Sequence, residues 1–198
     1  MSEAPTILAV CTGNICRSPI AESILNARLR DVGVRVRSAG VRAAVGQEMP
    51  KPAQRVALSR GADARELGAH TARAVDRTML LGSDLVIAMT REHRSRILAL
   101  EPTLMRRTFT AREFARLAAM LTDTEMRGVA DRHRGDPPAG MRAVAAVVAA
   151  RRGASTVRPK DDDVIDPYRR SSWVYERSTR QLDGPIAQLE RVARMVLE

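Results

Sequence analysis

The chemistry of this chain concentrates in one run, Cys11-Thr12-Gly13-Asn14-Ile15-Cys16-Arg17-Ser18, where five residues separate a cysteine from an arginine. A loop of that length can curl around one phosphate-sized dianion. Successive backbone N–H groups then face the anion, a following helix adds the positive potential of its N-terminus, and the guanidinium offers a planar fork to two oxygens. Gly13 and Asn14 are residue types that tolerate the positive φ such a loop demands. The same positive field favours the thiolate of Cys11, so anion binding and nucleophile activation become one device. A cysteine at a strand end is by itself a small core residue; these neighbours make it a candidate nucleophile.

Such a loop needs a rigid frame. Residues 6–11 (TILAVC) form an apolar run that stops at Thr12-Gly13-Asn14, which reads as a buried strand and a tight loop. Ser18-Pro19 suits a helix start, and Ile20, Ile24, Leu25 and Leu29 recur at helical spacing as far as Gly33. Residues 34–38 (VRVRS) alternate and close on Ala39-Gly40, giving a second strand and a βαβ unit. Beyond it the pattern predicts helices over 52–60 and 70–80, a strand over 84–89 (DLVIAM), a helix over 92–100 stopped by Pro102, and a weak strand over 104–108. A helix over 111–121 follows, with Phe114, Leu117, Ala118 and Leu121 on one face. This alternation implies a parallel sheet covered on both faces. Residues 122–163 hold many glycines and prolines around an Ala/Val-rich helix over 141–150, too short to span a bilayer, and read as a surface insertion. A helix over 171–197 carries Leu182, Ile186, Leu189, Ala193 and Val196, with a kink or break expected near Asp183, beside Gly184-Pro185.

The length of 198 residues, with 44% hydrophobic and 28% charged residues, fits one globular domain over 1–198 and excludes a disordered or fibrous chain. The formal net charge of +10 comes almost wholly from arginine, with lysine only at 51 and 160. A basic surface suits nucleic acid or acidic and phosphorylated proteins. Nucleic-acid binding is not expected, because no RNP motif, zinc-finger spacing or heptad-backed basic region occurs and 3% aromatics supply few stacking platforms. Only two cysteines, both in the loop, rule out a disulfide scaffold. His70, His93 and His133 lack metal-type spacing, so no metal is expected, and His70 and His93 read as surface or helix-end residues. No apolar run approaches the roughly 20 residues of a membrane helix, and the N-terminus lacks a basic region before a long apolar one. A cytoplasmic protein without membrane insertion is the expectation.

The run Val10-Cys11-Thr12-Gly13-Asn14-Ile15-Cys16-Arg17-Ser18-Pro19 resembles the phosphate loop of the low-molecular-weight protein tyrosine phosphatases. Asp166-Pro167-Tyr168 resembles that family's second motif, and Ser38-Ala39-Gly40 with the 84–89 strand extends the resemblance over most of the chain outside 122–163. The resemblance implies a flavodoxin-like three-layer sandwich, a four-stranded parallel sheet with helices on both faces. It implies that Cys11 attacks phosphorus to form a phosphocysteine and that Thr12, Gly13, Asn14, Ile15, Cys16, Arg17 and Ser18 bind the phosphate. Ser18 would steady the thiolate, Asp166 would be the general acid, and Tyr168 would line the substrate pocket. An acid is required because a phenolate, conjugate acid pKa about 10, leaves slowly without a proton; the resulting carboxylate can then activate water. No cofactor is implied, since loop amides and Arg17 neutralise the charge.

Two readings of Cys16 stay open: a spectator thiol, or, as the family implies, the redox partner of Cys11 in a reversible disulfide that prevents overoxidation. Asp161, Asp162 and Asp163 read as a solvated charge run. Arg169 and Arg170 are either surface charge or attract acidic sequence around a phosphotyrosine. The implied partners are tyrosine-phosphorylated proteins and a cognate tyrosine kinase, with the oligomeric state open. Two rival functions share the loop. A thioredoxin-coupled arsenate reductase needs resolving cysteines, and none follows Cys16. A non-catalytic phosphotyrosine-binding module has no use for an intact set of Cys11, Arg17 and Asp166.

Overall fold

The computed structural model describes residues 3–154 and 158–198. Strands β1 (Thr6–Cys11), β2 (Arg35–Gly40), β3 (Leu85–Ala88) and β4 (Thr108–Thr110) form one all-parallel sheet in the order β2-β1-β3-β4. The period-two alternation of β1 divides the core. Ile7, Ala9 and Cys11 face a large cluster built with α1 (Arg17–Arg28), α2 (Lys51–Leu58), α6 (Ala111–Ala118) and α9 (Ser172–Leu197). Leu8 and Val10 face a smaller one with Leu80 of α4 (Arg77–Leu81), Ile97 of α5 (Arg91–Leu100) and Leu104. This is the expected three-layer α/β sandwich. The chain leaves β1 for β2 on one side and reaches β3 on the other, so a crevice opens beyond the carboxyl ends of β1 and β3. Cys11 closes β1 at that crevice.

Four stretches differ from the sequence reading. Over 70–80 only the end is helical, in α4; residues before it run extended, and Ala74 bridges Gly40 while Asp76 caps α4 through Met79 N–H. A further helix, α3 (Ala64–Ala69), precedes them, capped by Asp63. The strand expected over 104–108 is mostly a 3₁₀ turn (Pro102–Arg107), because Pro102 starts a turn and the Glu101 carboxylate caps Thr103; β4 begins only at Thr108.

Within 122–163, α7 (Asp123–Ala130) starts on a capping box between Thr122 and Glu125, and α8 (Pro137–Ala150) starts on Asp136 with prolines in its first turn. This stretch does not lie loosely on the surface. Met141, Val144, Ala145 and Val148 of α8 enter the large core, and Arg142 pairs with the buried Asp84 before β3 at 2.5 Å. Its residues 155–157 lie outside the described residues. Finally, α9 runs unbroken through Gly184-Pro185. Pro185 is buried beside Leu182 and Ile186, and on the N-terminal side of the proline Arg60 bonds Glu176 at 2.7 Å and Asp183 at 2.9 Å. Apolar packing holds one helix across a residue that cannot donate a backbone hydrogen bond, and Arg60 ties down the two turns that precede it.

Candidate active site

The loop between β1 and α1 curls because its carbonyls are engaged from outside. Val41 N–H donates to the Cys11 carbonyl (2.9 Å), Arg42 N–H to that of Thr12 (3.0 Å) and Ala44 N–H to that of Gly13 (3.0 Å). His70 Nε2 donates to the Asn14 carbonyl at 2.8 Å. With the carbonyls turned out, the N–H groups line the concave side, continuous with the N-terminus of α1. Asn14 holds φ +56° at the sharpest point. Gly40 admits the rim segment: a Cβ there would lie 2.5 Å from the Thr12 carbonyl oxygen.

Cys11 Sγ accepts hydrogen bonds from the Ser18 hydroxyl at 3.0 Å and from Asn14 N–H at 3.3 Å. Both donors converge on the one sulfur. The Asn14 side chain is wholly buried and fixes this pair, donating to Ser18 Oγ (3.1 Å) and Ser38 Oγ (2.7 Å) and accepting from Arg73 N–H (2.9 Å). Ser38 passes the chain on to Glu22, which also pairs with Arg73 at 3.0 Å.

Arg17, the first residue of α1, is 4% exposed. Nη1 donates to the Val164 carbonyl (3.1 Å), and Nη2 reaches Thr12 Oγ1 (3.3 Å) and the Asp166 carboxylate (2.9 Å). Its Nε is buried with no partner among the described residues. A buried donor of that kind carries a penalty that an anion in the loop would relieve. Asp166 stands half exposed at the mouth, its Oδ1 accepting from Tyr168 N–H at 3.2 Å. Cys11, Thr12, Gly13, Ile15, Cys16, Arg17, Asp166 and Tyr168 line one cavity with Arg42, Ala44 and Gln47. Asp161, Asp162 and Asp163 stay outside it, and Asp162 is taken up by Arg116.

His70 and His93, read from sequence as surface or helix-end residues, do sit at helix ends, His70 as the C-cap of α3 and His93 in the first turn of α5, but both are buried. His93 shares a hydrogen bond with Thr12 Oγ1 at 2.8 Å through Nε2 and one with Thr90 Oγ1 at 2.9 Å through Nδ1. Burial and the nearby Arg17 guanidinium push its pKa down to about 4. At neutral pH one ring nitrogen therefore donates and the other accepts. Cys16 lies 3.7 Å from the Tyr175 hydroxyl of α9, and burial pushes its thiol up to about 12, leaving it protonated. Burial, and then Cys16 itself, also raise Tyr175. Both cysteines are free, and among the described residues no group of three His, Cys, Asp or Glu side chains converges as a metal site.

A parallel α/β sheet whose first strand ends in a curled, anion-facing loop with a doubly bonded thiol defines a phosphate-loop protein of the cysteine type. The model of the low molecular weight phosphotyrosine protein phosphatase family matches residues 6–154, and the chain belongs to that family. It is 41% identical over 103 residues to the low molecular weight protein-tyrosine-phosphatase Etp of Escherichia coli, covering 52% of this chain and 66% of that protein, just under two thirds. It is 38% identical over 108 residues to a protein-arginine-phosphatase of Geobacillus stearothermophilus, 54% of this chain and 70% of that protein. Among solved structures, the low molecular weight protein tyrosine phosphatase from T. tengcongensis superposes with a TM-score of 0.65 at 28% identity, over 94% of this chain and 97% of that one.

Proposed function

We propose that this protein hydrolyses phosphotyrosine in proteins through a phosphocysteine intermediate. The observation that carries the reading is the Cys11 sulfur held by Ser18 and Asn14 at the base of the cavity that also contains Arg17 and Asp166. The phosphoryl group enters the loop, where amides of residues 12–18 and the Arg17 guanidinium take its oxygens. Binding there competes with Asp166 for Arg17 and releases the carboxyl group toward the leaving oxygen. The Cys11 thiolate attacks phosphorus, the S–P bond forms as the P–O bond breaks, and Asp166 delivers its proton to the phenolate. The Asp166 carboxylate then takes a proton from water, which attacks phosphorus and returns the thiolate and inorganic phosphate. Tyr168 offers a ring face to the aryl ester.

Cys16 serves as the redox partner: peroxide converts Cys11 to a sulfenic acid, and the protonated Cys16 thiol displaces water to give a disulfide. The partners are tyrosine-phosphorylated proteins, a cognate tyrosine kinase among them. The protein works in the cytoplasm, where both thiols stay reduced; among the described residues no helix is long and apolar enough to cross a membrane.

The relative named a protein-arginine-phosphatase raises a second reading, phosphoarginine hydrolysis. Two guanidinium groups, Arg17 and Arg42, and a single carboxylate already paired with Arg17 line the cavity, which disfavours a cationic phosphoguanidine beside an aryl ester. Metal-free hydrolysis of phosphotyrosine, phosphoserine and phosphoarginine peptides by wild type and Cys11→Ser tests both. Selective phosphotyrosine turnover that disappears in Cys11→Ser supports the proposal. Full activity in that variant, or a preference for phosphoarginine, overturns it.

A further inference from the structure

The rim segment that fixes the loop also brings a cation to the mouth. Arg42 is anchored by its own N–H to the carbonyl of Thr12, one residue from the nucleophile, so its side chain starts from a fixed point beside the reacting group. That side chain lines the same cavity as Cys11, Arg17 and Tyr168. Arg17 is already matched to Asp166, the one carboxylate in the lining. Arg42 forms no ion pair among the described residues, whereas Arg60, Arg152, Arg191 and Arg194 are each held by carboxylates. Beside Tyr168, which also lines the cavity, Arg169 lies over the ring, 5.2 Å from its centroid, and neither Arg169 nor Arg170 pairs with a carboxylate among the described residues. Arg169 holds φ +59°, a conformation that sets the chain's direction at the lip. Among the described residues, guanidinium groups without a carboxylate partner therefore stand in the cavity lining, at Arg42, and against it, at Arg169.

The geometry points to Arg42 as a second anion-binding position, which selects phosphotyrosine segments carrying an aspartate or glutamate within two residues of the phosphorylated tyrosine. The inference rests on the phosphotyrosine reading above and adds the substrate class. In an extended peptide each residue advances the chain by roughly 3.3 Å, so a neighbouring carboxylate stays at the rim while the phosphoryl group reaches Cys11. The guanidinium fork matches a carboxylate in two parallel hydrogen bonds. Being exposed, the pair acts on encounter and KM more than on the chemical step, and salt screens it. Arg169 and Arg170 extend the same field along the peptide.

The test compares kcat/KM for two phosphotyrosine peptides, one with acidic and one with uncharged neighbours, in wild type, Arg42→Ala and Arg42→Glu. A small aryl phosphate without flanking residues is run in parallel to normalise for folded enzyme. In wild type the acidic peptide should be favoured about fivefold at low salt, the preference shrinking as salt rises. Arg42→Ala should bring the ratio near one, and Arg42→Glu should invert it. A wild type that hydrolyses the aryl phosphate but treats the two peptides alike overturns the Arg42 assignment alone, as does a ratio unchanged by charge reversal. A wild type inert toward the aryl phosphate overturns the phosphatase reading itself.

Discussion

His93 offers a quantitative test of the site's electrostatics. Its ring is buried between Thr12 and Thr90, and desolvation together with the Arg17 charge holds its pKa at about 4. In an unfolded chain an imidazole titrates near 6.5. Between those values the unfolded state binds more protons than the folded state, so stability rises with pH across the window and levels off above it. The shift is worth about 3 kcal/mol in full, lost as the pH falls from near 6.5 to about 4. Urea unfolding of wild type and His93→Asn at about pH 7.5 and about pH 4.5 isolates this contribution, because carboxylate titration is common to both proteins. The wild type should lose about 2–3 kcal/mol more than the variant between the two conditions. Equal losses, within about 0.5 kcal/mol, would refute the claim that a neutral His93 is built into the loop's support.

Three further outcomes follow from the geometry. Asp166→Ala should slow unactivated phenyl esters by about 10²–10⁴, and nitrophenyl esters, with their better leaving group, far less; equal losses would move the acid to another residue. Gly40→Ala pushes a Cβ against the Thr12 carbonyl oxygen, so thermal unfolding should report a loss of about 1–3 kcal/mol, with turnover falling as the loop shifts; an unchanged Tm and rate would show that the close approach is not required. Arg60→Ala removes the ion pairs to Glu176 and Asp183 on α9, and because the two carboxylates are partly exposed the loss should be only about 1 kcal/mol, a fall of roughly 2–4 °C in Tm.

The sheet was legible because β1 and β3 are apolar runs bounded by breakers, and the loop because its cysteine, glycine, asparagine and arginine are contiguous. Asp166 was legible only from its Pro-Tyr context, since nothing local separates it from the neighbouring acidic run. His93 and Arg42 were not legible: each meets the loop through tertiary pairing with Thr12, from elements about 80 and 30 residues away, and no local pattern encodes that contact. The stretch before α4 was misread as helix because its bridge to Gly40 outweighs local spacing. The start of α7 did carry a signal, Thr122-x-x-Glu125, masked by the glycines and prolines that follow. Near Asp183 local propensity argued for a kink or a break, and burial of Pro185 in the core keeps one continuous helix.

The two residues before Asp166 have every backbone polar group occupied. Val164 N–H donates to the Met89 carbonyl at the end of β3, and its own carbonyl accepts from Arg17. Ile165 N–H donates to Gln181 Oε1, and its carbonyl accepts from Ser178, both on α9. The acid thus hangs from the sheet and the last helix rather than from a swinging lid. Under the proposed mechanism the acid reaches its working position by a local exchange at Arg17, the phosphoryl group replacing Asp166, and not by the swing of a loop. In the proposed mechanism the two half-reactions then share one backbone geometry, and what changes between them is which anion Arg17 holds.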